Sequence, residues 1–142
     1  MESVERRMVE MKSDKVKNKN VTLQVLVAED EPSIRTLIAR TLGLDSLRVE
    51  TAENGEAALK AIKKGGFGLL LLDYRLPDMN AREVIERLEK FPRDKQIPVV
   101  LVTGRISYFS NPIDTKLIVD VLRKPFDITS LRRVVSKNLI AA

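Results

Sequence analysis

The chain has 142 residues, 44% of them apolar, and a formal net charge of +5, which fits one domain with an ordinary globular core. It contains no cysteine and no histidine, which excludes disulfides, thiolate metal sites, cysteine nucleophiles, the Ser-His-Asp triad and the usual zinc-hydrolase sites. Any chemistry has to run on carboxylates, hydroxyls, lysines and an oxygen-bound metal, and a chain without histidine cannot itself be a phosphohistidine donor.

Residues 1–20 hold six basic and four acidic side chains and few apolar ones. They read as a charged tail, flexible or with a turn or two of helix around Val4 to Met11, in front of a domain spanning 21–142. The tail lacks the apolar stretch of a secretory signal, and no run approaches the roughly 18 to 20 apolar residues that cross a bilayer. The expectation is a cytoplasmic protein without membrane contact. Acidic and basic side chains are interspersed throughout, so the positive balance reads as a mixed, solvated surface and not as a nucleic-acid footprint.

From Val21 the pattern alternates between short apolar runs and helical spacing. Val21 to Ala28 suits a strand buried on both faces. Glu29-Asp30-Glu31-Pro32 ends it and opens a helix with Ile34, Leu37, Ile38 and Leu42 at helical spacing, stopped by Gly43. Leu47 to Thr51 is a second strand, and Asn54-Gly55 opens a helix that closes at Gly65-Gly66. Phe67 to Leu72, with four consecutive leucines, is a third strand stopping at Asp73. A loop through Pro77 and Asp78 leads to a helix over Arg82–Lys90 with Val84, Ile85 and Leu88 on one face. Pro98 to Val102 is a fourth strand ending at Thr103-Gly104. Ser107 to Lys116 carries Pro112 and a weak pattern, so the fourth helix should be short or mobile. Ile118 to Leu122 is a fifth strand ending at Lys124-Pro125. Asp127 caps a last helix with Ile128, Leu131, Val134, Val135 and Leu139 facing inward. Five strands alternating with five helices imply an α/β, doubly wound parallel sheet covered on both faces, with ligands beyond the carboxyl ends of the strands.

Polar residues stand at those ends: Glu29 and Asp30 after the first strand, Asp73 after the third, Thr103 after the fourth and Lys124 after the fifth. In a parallel sheet they converge on one rim. Three carboxylates there repel one another unless a cation intervenes, and an all-oxygen donor set suits Mg²⁺ or Mn²⁺. A carboxylate at such a site can attack phosphorus to give an acyl phosphate, with Lys124 and Thr103 as partners for the transferred oxygens. Taken singly, each residue has an ordinary structural explanation; the joint occurrence carries the reading.

The segments Val25–Arg35 (VLVAEDEPSIR), Leu69–Asn80 (LLLLDYRLPDMN), Pro98–Gly104 (PVVLVTG) and Lys124–Phe126 (KPF) resemble, in order and spacing, the four signature blocks of response-regulator receiver domains of bacterial two-component signalling. The resemblance covers about residues 23 to 140. It implies a (βα)5 flavodoxin-like three-layer sandwich with strand order 2-1-3-4-5. It implies Asp73 as phosphoacceptor, Lys124 as the phosphate-binding lysine and Thr103 as the switch hydroxyl. The implied metal ligands are Glu29, acting through water, Asp30, Asp73 and the backbone carbonyl of Arg75. Gly104 matches a position that is small in the family and leaves room for the phosphoryl group. The implied partner is a sensor histidine kinase or histidine phosphotransfer protein that docks on the first helix near Ile34 and Leu37. The protein would not be an enzyme with a separate substrate.

Two departures stand out. The family usually has an aromatic residue three positions before the lysine, where this chain has Val121, and a small pair before the fifth strand, where it has Leu117-Ile118. The loop Gly104 to Asn111 is then expected to re-order around the phosphoryl group together with Thr103 and to bias a mobile fourth helix. The alternative is a phosphorylation-independent pseudo-receiver, an interaction module with the same fold. A metal-dependent phosphohydrolase would need an acid–base residue at position 75, which is Arg. The sequence ends soon after the last helix with no helix-turn-helix, so output is expected through an unknown downstream protein, as a monomer or a phosphorylation-dependent homodimer. Arg132, Arg133 and Lys137 form a candidate basic face.

Overall fold

The computed structural model describes residues 24–105 and 107–140; the expectations for 1–20, and the start of the first strand at 21–23, lie outside them. The strands are β1 (Gln24–Ala28), β2 (Arg48–Ala52), β3 (Leu69–Asp73), β4 (Val99–Thr103) and β5 (Ile118–Arg123). The helices are α1 (Pro32–Leu44), α2 (Gly55–Lys64), α3 (Ala81–Glu89), α4 (Ser107–Ser110) and α5 (Ile128–Ile140), with a 3-10 turn at Arg93–Lys95. The sheet is parallel throughout, in the order β2-β1-β3-β4-β5.

Strand alternation divides the core in two, because successive side chains point to opposite faces. Leu26, Leu70, Leu72, Val99 and Leu101 pack with Ala58, Leu59 and Ile62 of α2 and Val84, Ile85 and Leu88 of α3. Val25, Val27, Leu69, Leu71, Val100 and Val102 pack with Ile38 and Leu42 of α1 and Leu131, Val134, Val135 and Leu139 of α5. The central strands β3 and β4 are buried at every position, as continuous apolar runs require. The sheet is thus covered on both faces, which is the doubly wound, flavodoxin-like arrangement read from the sequence.

Helix starts follow the local chemistry. The side chains of Asn54, Asn80 and Asp127 accept from the N–H groups of Ala57 (2.8 Å), Glu83 (3.0 Å) and Ser130 (2.6 Å), while α1 begins with Pro32 in its first turn. Two expectations are corrected. Gly43 does not stop α1, which runs to Leu44; the turn is made at Ser46, whose φ of +64° lies in the left-handed region. A glycine inside a helix weakens it by about 1 kcal/mol but need not end it, and Gly43 faces open space. Ile128 does not face inward and is 46% exposed, because the first residue of a helix has no preceding turn of its own to lie on.

β5 carries an irregularity that alternation could not reveal. Val99 pairs with Ile118 but Val100 pairs with Asp120, so Val119 is an extra residue, and it stands exposed. The bulge leaves Asp120 to accept hydrogen bonds from Asn138 Nδ2 (3.2 Å) and the Val121 N–H (2.9 Å).

The β3–α3 loop is tied to a distant helix. The Asp78 carboxylate accepts from the N–H groups of Gly55 (2.8 Å) and Glu56 (2.9 Å) at the start of α2. Although burial opposes it, these and other backbone donors hold the Asp78 carboxyl below its usual value. Asp78→Ala should therefore destabilise the fold by about 1 kcal/mol, the usual worth of a helix cap, in urea unfolding. Beside it, a Cβ on Gly55 would lie 2.4 Å from Met79 Cγ and 2.6 Å from Met79 Sδ. Gly55→Ala should lower stability by roughly 1–2 kcal/mol through this overpacking, and the double variant with Met79→Ala should lose less than the sum of the two single changes.

Candidate functional site

The sheet brings the strand-end residues together. β1 and β3 are hydrogen-bonded neighbours, so Glu29 and Asp30 follow one strand while Asp73 ends the next. Ligand-capable oxygens of Glu29, Asp30 and Asp73 all lie within 4.8 Å of one another. Lys124 reaches the same point from β5. Its Nζ lies 3.2 Å from Glu29 Oε2 and 3.3 Å from Asp73 Oδ2. The backbone keeps these ends in place: Glu29 N–H donates to Ala52 O (3.0 Å), Tyr74 N–H to Val102 O (3.0 Å) and Lys124 N–H to Thr103 O (2.9 Å). The Lys124–Pro125 peptide bond is cis.

Burial decides how these groups behave. Glu29 is only 2% exposed and Asp73 9%, whereas Asp30 faces solvent. Desolvation, followed by the hydrogen bond and the negative charge of Asp73, pushes the Glu29 carboxyl up to about 7, against the opposing pull of Lys124. Burial works against the charge of Lys124, but the Asp73 and Glu29 carboxylates outweigh it and hold the ammonium above its usual value. One cation is thus shared by two buried acids with a third acid at the rim. With all three carboxylates ionised, two negative charges are left unbalanced by Lys124, and an all-oxygen cluster of this kind fits a hard divalent cation.

Thr103 is 1% exposed. Its hydroxyl oxygen accepts from the Arg105 N–H at 3.0 Å, so among the described residues its recorded partner is the following loop. Arg75 lies in the β3–α3 loop, paired with Asn80 in an isolated antiparallel bridge. That loop is closed by Ala81 N–H to Tyr74 O (2.7 Å) and Leu76 N–H to Met79 O (3.1 Å). A Cβ added to Gly104 would meet Lys124 Cβ at 3.6 Å, an ordinary contact; Lys124 therefore does not demand a glycine there.

Sequence reasoning missed one residue of the site's surroundings. The Arg35 guanidinium donates to the backbone carbonyls of Glu29 (3.0 Å) and Asp30 (3.4 Å) and lies 3.6 Å from Glu53 Oε1. It braces the loop that carries both acids from one turn into α1. Its sequence signals were its place at the end of the first signature block and one helical turn after Glu31.

A family model described as the response regulator receiver domain matches residues 25–136. The chain is 35% identical over 108 residues to the uncharacterized transcriptional regulatory protein YkoG of Bacillus subtilis, covering 75% of this chain and 46% of that protein. It is 30% identical over 120 residues to the response regulator receiver protein CpdR of Brucella abortus, covering 84% and 98%. Several other curated relatives are much longer, and the chain spans under half of their length. Among solved structures it resembles the response regulator protein TrrA of Thermotoga maritima in complex with Mg²⁺ and BeF, at 31% identity and a TM-score of 0.72, covering 82% of this chain and 98% of that one.

Proposed function

The chain belongs to the response regulator receiver domain family of two-component signalling, and from that premise we propose that Asp73 is its phosphoacceptor, served by Lys124, Thr103 and a divalent metal, Mg²⁺ or Mn²⁺. The observation that carries this reading is the shared Lys124 Nζ, within 3.3 Å of both Glu29 and Asp73 at the rim of the sheet. A carboxylate oxygen of Asp73 attacks phosphorus, a new O–P bond forms, and the bond to the donor group breaks with its electron pair going to that group. The donor would be a phosphohistidine of a sensor histidine kinase or phosphotransfer protein, docked on α1, where Leu37 is 44% exposed.

Glu29, Asp30, Asp73 and the Arg75 carbonyl would hold the metal, which supplies charge neutralisation for phosphoryl oxygens. Lys124 orients the Asp73 carboxylate and offers its ammonium to the same oxygens; Thr103 supplies a hydroxyl donor. Asp78 and Arg35 hold the loops that carry these groups. Turnover of a separate substrate is not part of this reading. No helix among the described residues is long and apolar enough to cross a membrane. Output would run through contacts with another protein, without direct nucleic-acid binding.

The test is intact mass after incubation with acetyl phosphate. A gain of one phosphoryl group is expected with Mg²⁺, lost in EDTA and lost in Asp73→Asn. No gain with acetyl phosphate or with a phosphorylated histidine donor would favour the phosphorylation-independent interaction module, which Val121 in place of an aromatic also favours.

A further inference from the structure

Asp73 is followed directly by Tyr74, and the Tyr74 ring meets Tyr108 of α4 edge to face, with centroids 6.1 Å apart and planes at 68°. Tyr108 is 8% exposed and packs in the same core as Leu72 and Leu101. The Arg105 guanidinium lies over the Tyr74 ring, 5.3 Å from its centroid. Arg105 also donates its N–H to the Thr103 hydroxyl oxygen, and its carbonyl accepts from the Tyr108 N–H at 3.3 Å. One short turn is therefore fastened at one end to Thr103 and across its side to the residue after Asp73. At its far end Tyr108 meets Phe109, centroids 5.6 Å apart, and Arg123 of β5 lies over the Phe109 ring at 5.8 Å. Phe109 is 51% exposed. β5 itself offers no ring, since Val121 stands in its middle.

We propose that Tyr74 and Tyr108 form the relay that carries the state of Asp73 to α4 and on to the exposed Phe109–Arg123 contact; the proposal rests on the phosphoacceptor reading of Asp73. A phosphoryl group brings about −1.5 to −2 charge and three acceptor oxygens to the rim. Lys124 is already shared by two carboxylates, so the relay calls on the Thr103 hydroxyl and Arg105 as further donors. A charge-assisted hydrogen bond to a phosphoryl oxygen is stronger than a cation–π contact on a partly exposed ring, so Arg105 leaves Tyr74 for the phosphoryl group. Thr103 turns its hydroxyl the same way and releases the Arg105 N–H. Both fastenings of Arg105 are then lost together, and Tyr108, whose N–H donates to the Arg105 carbonyl, moves against Tyr74. α4 is a single turn with few contacts of its own, and short, weakly held segments are the ones that shift at low cost.

The chain contains two tyrosines and no tryptophan, so the pair is its own reporter. Ring resonances of Tyr108 are followed by NMR while the phosphorylated fraction of the same sample is read by mass, with Mg²⁺ and acetyl phosphate as the probe. In the wild type the Tyr108 signals should shift in step with that fraction. Tyr74→Leu should gain the phosphoryl group to the same extent with the Tyr108 shift lost, and Tyr74→Phe, which keeps the ring, should restore it. A wild-type protein that is phosphorylated while Tyr108 stays unchanged overturns the relay, as does a full Tyr108 shift in Tyr74→Leu or no shift in Tyr74→Phe. If the wild type gains no mass, the phosphoacceptor reading fails and the relay falls with it; the mass reading separates that case from failure of the relay alone.

Discussion

Lys124→Met should slow phosphorylation by acetyl phosphate by about 10²- to 10³-fold at saturating Mg²⁺, the usual loss when one preorganised donor to a developing charge is removed. The same change should cost stability, but less than a fully buried ion pair would. Breaking such a pair typically costs about 3–5 kcal/mol because a charge is stranded. Lys124 keeps 23% of its side chain exposed, and the stranded acids have a second way out. Glu29 already sits at about 7 with Lys124 pulling it down; without the ammonium it rises further and takes up a proton near neutrality. A loss of roughly 1–3 kcal/mol at pH 8, shrinking toward pH 6, is therefore expected. Urea unfolding across that range checks it, and a pH-independent loss would show that Glu29 does not titrate there.

Glu29→Gln should do the opposite and stabilise the metal-free protein. The Glu29 carboxyl stands at about 7 in the fold against 4.5 for the free group. Between those two values the native state keeps a proton that the unfolded chain has released, so stability falls as pH rises and levels off above 7. Glutamine imitates the neutral form and removes that penalty. The full shift corresponds to about 3 kcal/mol; sharing of the proton with Asp73 and of the cation with Lys124 reduces it to roughly 1–2 kcal/mol. In EDTA the variant should thus be more stable than the wild type at pH 8 and equal to it near pH 5. Added Mg²⁺ should reverse the order at pH 8, because binding to the ionised wild-type cluster stabilises it by mass action. A variant less stable than the wild type in EDTA at pH 8 would mean that the Glu29–Lys124 attraction outweighs desolvation.

Much of this was legible in the sequence because the signals are local. The four leucines of β3 and the PVVLV run of β4 are continuous apolar stretches, and such stretches have nowhere to go but the middle of a covered parallel sheet. Asn54 and Asp127 announce helix starts through chemistry within three residues. Glu29, Asp30, Asp73 and Lys124 were legible together because parallel topology sends every strand end to one rim. What was hidden depends on contacts that no local pattern marks. Asp78 looked like a turn residue, yet it serves a helix 22 and 23 residues earlier. Arg35 closed a signature block with no role assigned to it, but its guanidinium reaches back to two backbone carbonyls. The bulge at Val119 leaves no mark on a β-branched strand, and the exposure of Ile128 follows from its end position, not from its hydrophobicity. The missing ring at Val121 was visible at once; that Tyr74 and Tyr108 touch could not be read from two residues that lie on different elements.

The central claim is that the phosphoryl group is carried by Asp73. Borohydride reduces an aspartyl phosphate to homoserine, so the modified residue is marked in place and read by peptide mass sequencing. After treatment with Mg²⁺ and acetyl phosphate, homoserine at position 73 is the expected result. Homoserine at position 30, or the homologous alcohol 5-hydroxynorvaline at position 29, instead, or a reduced residue at no position while mass is gained, would contradict the account.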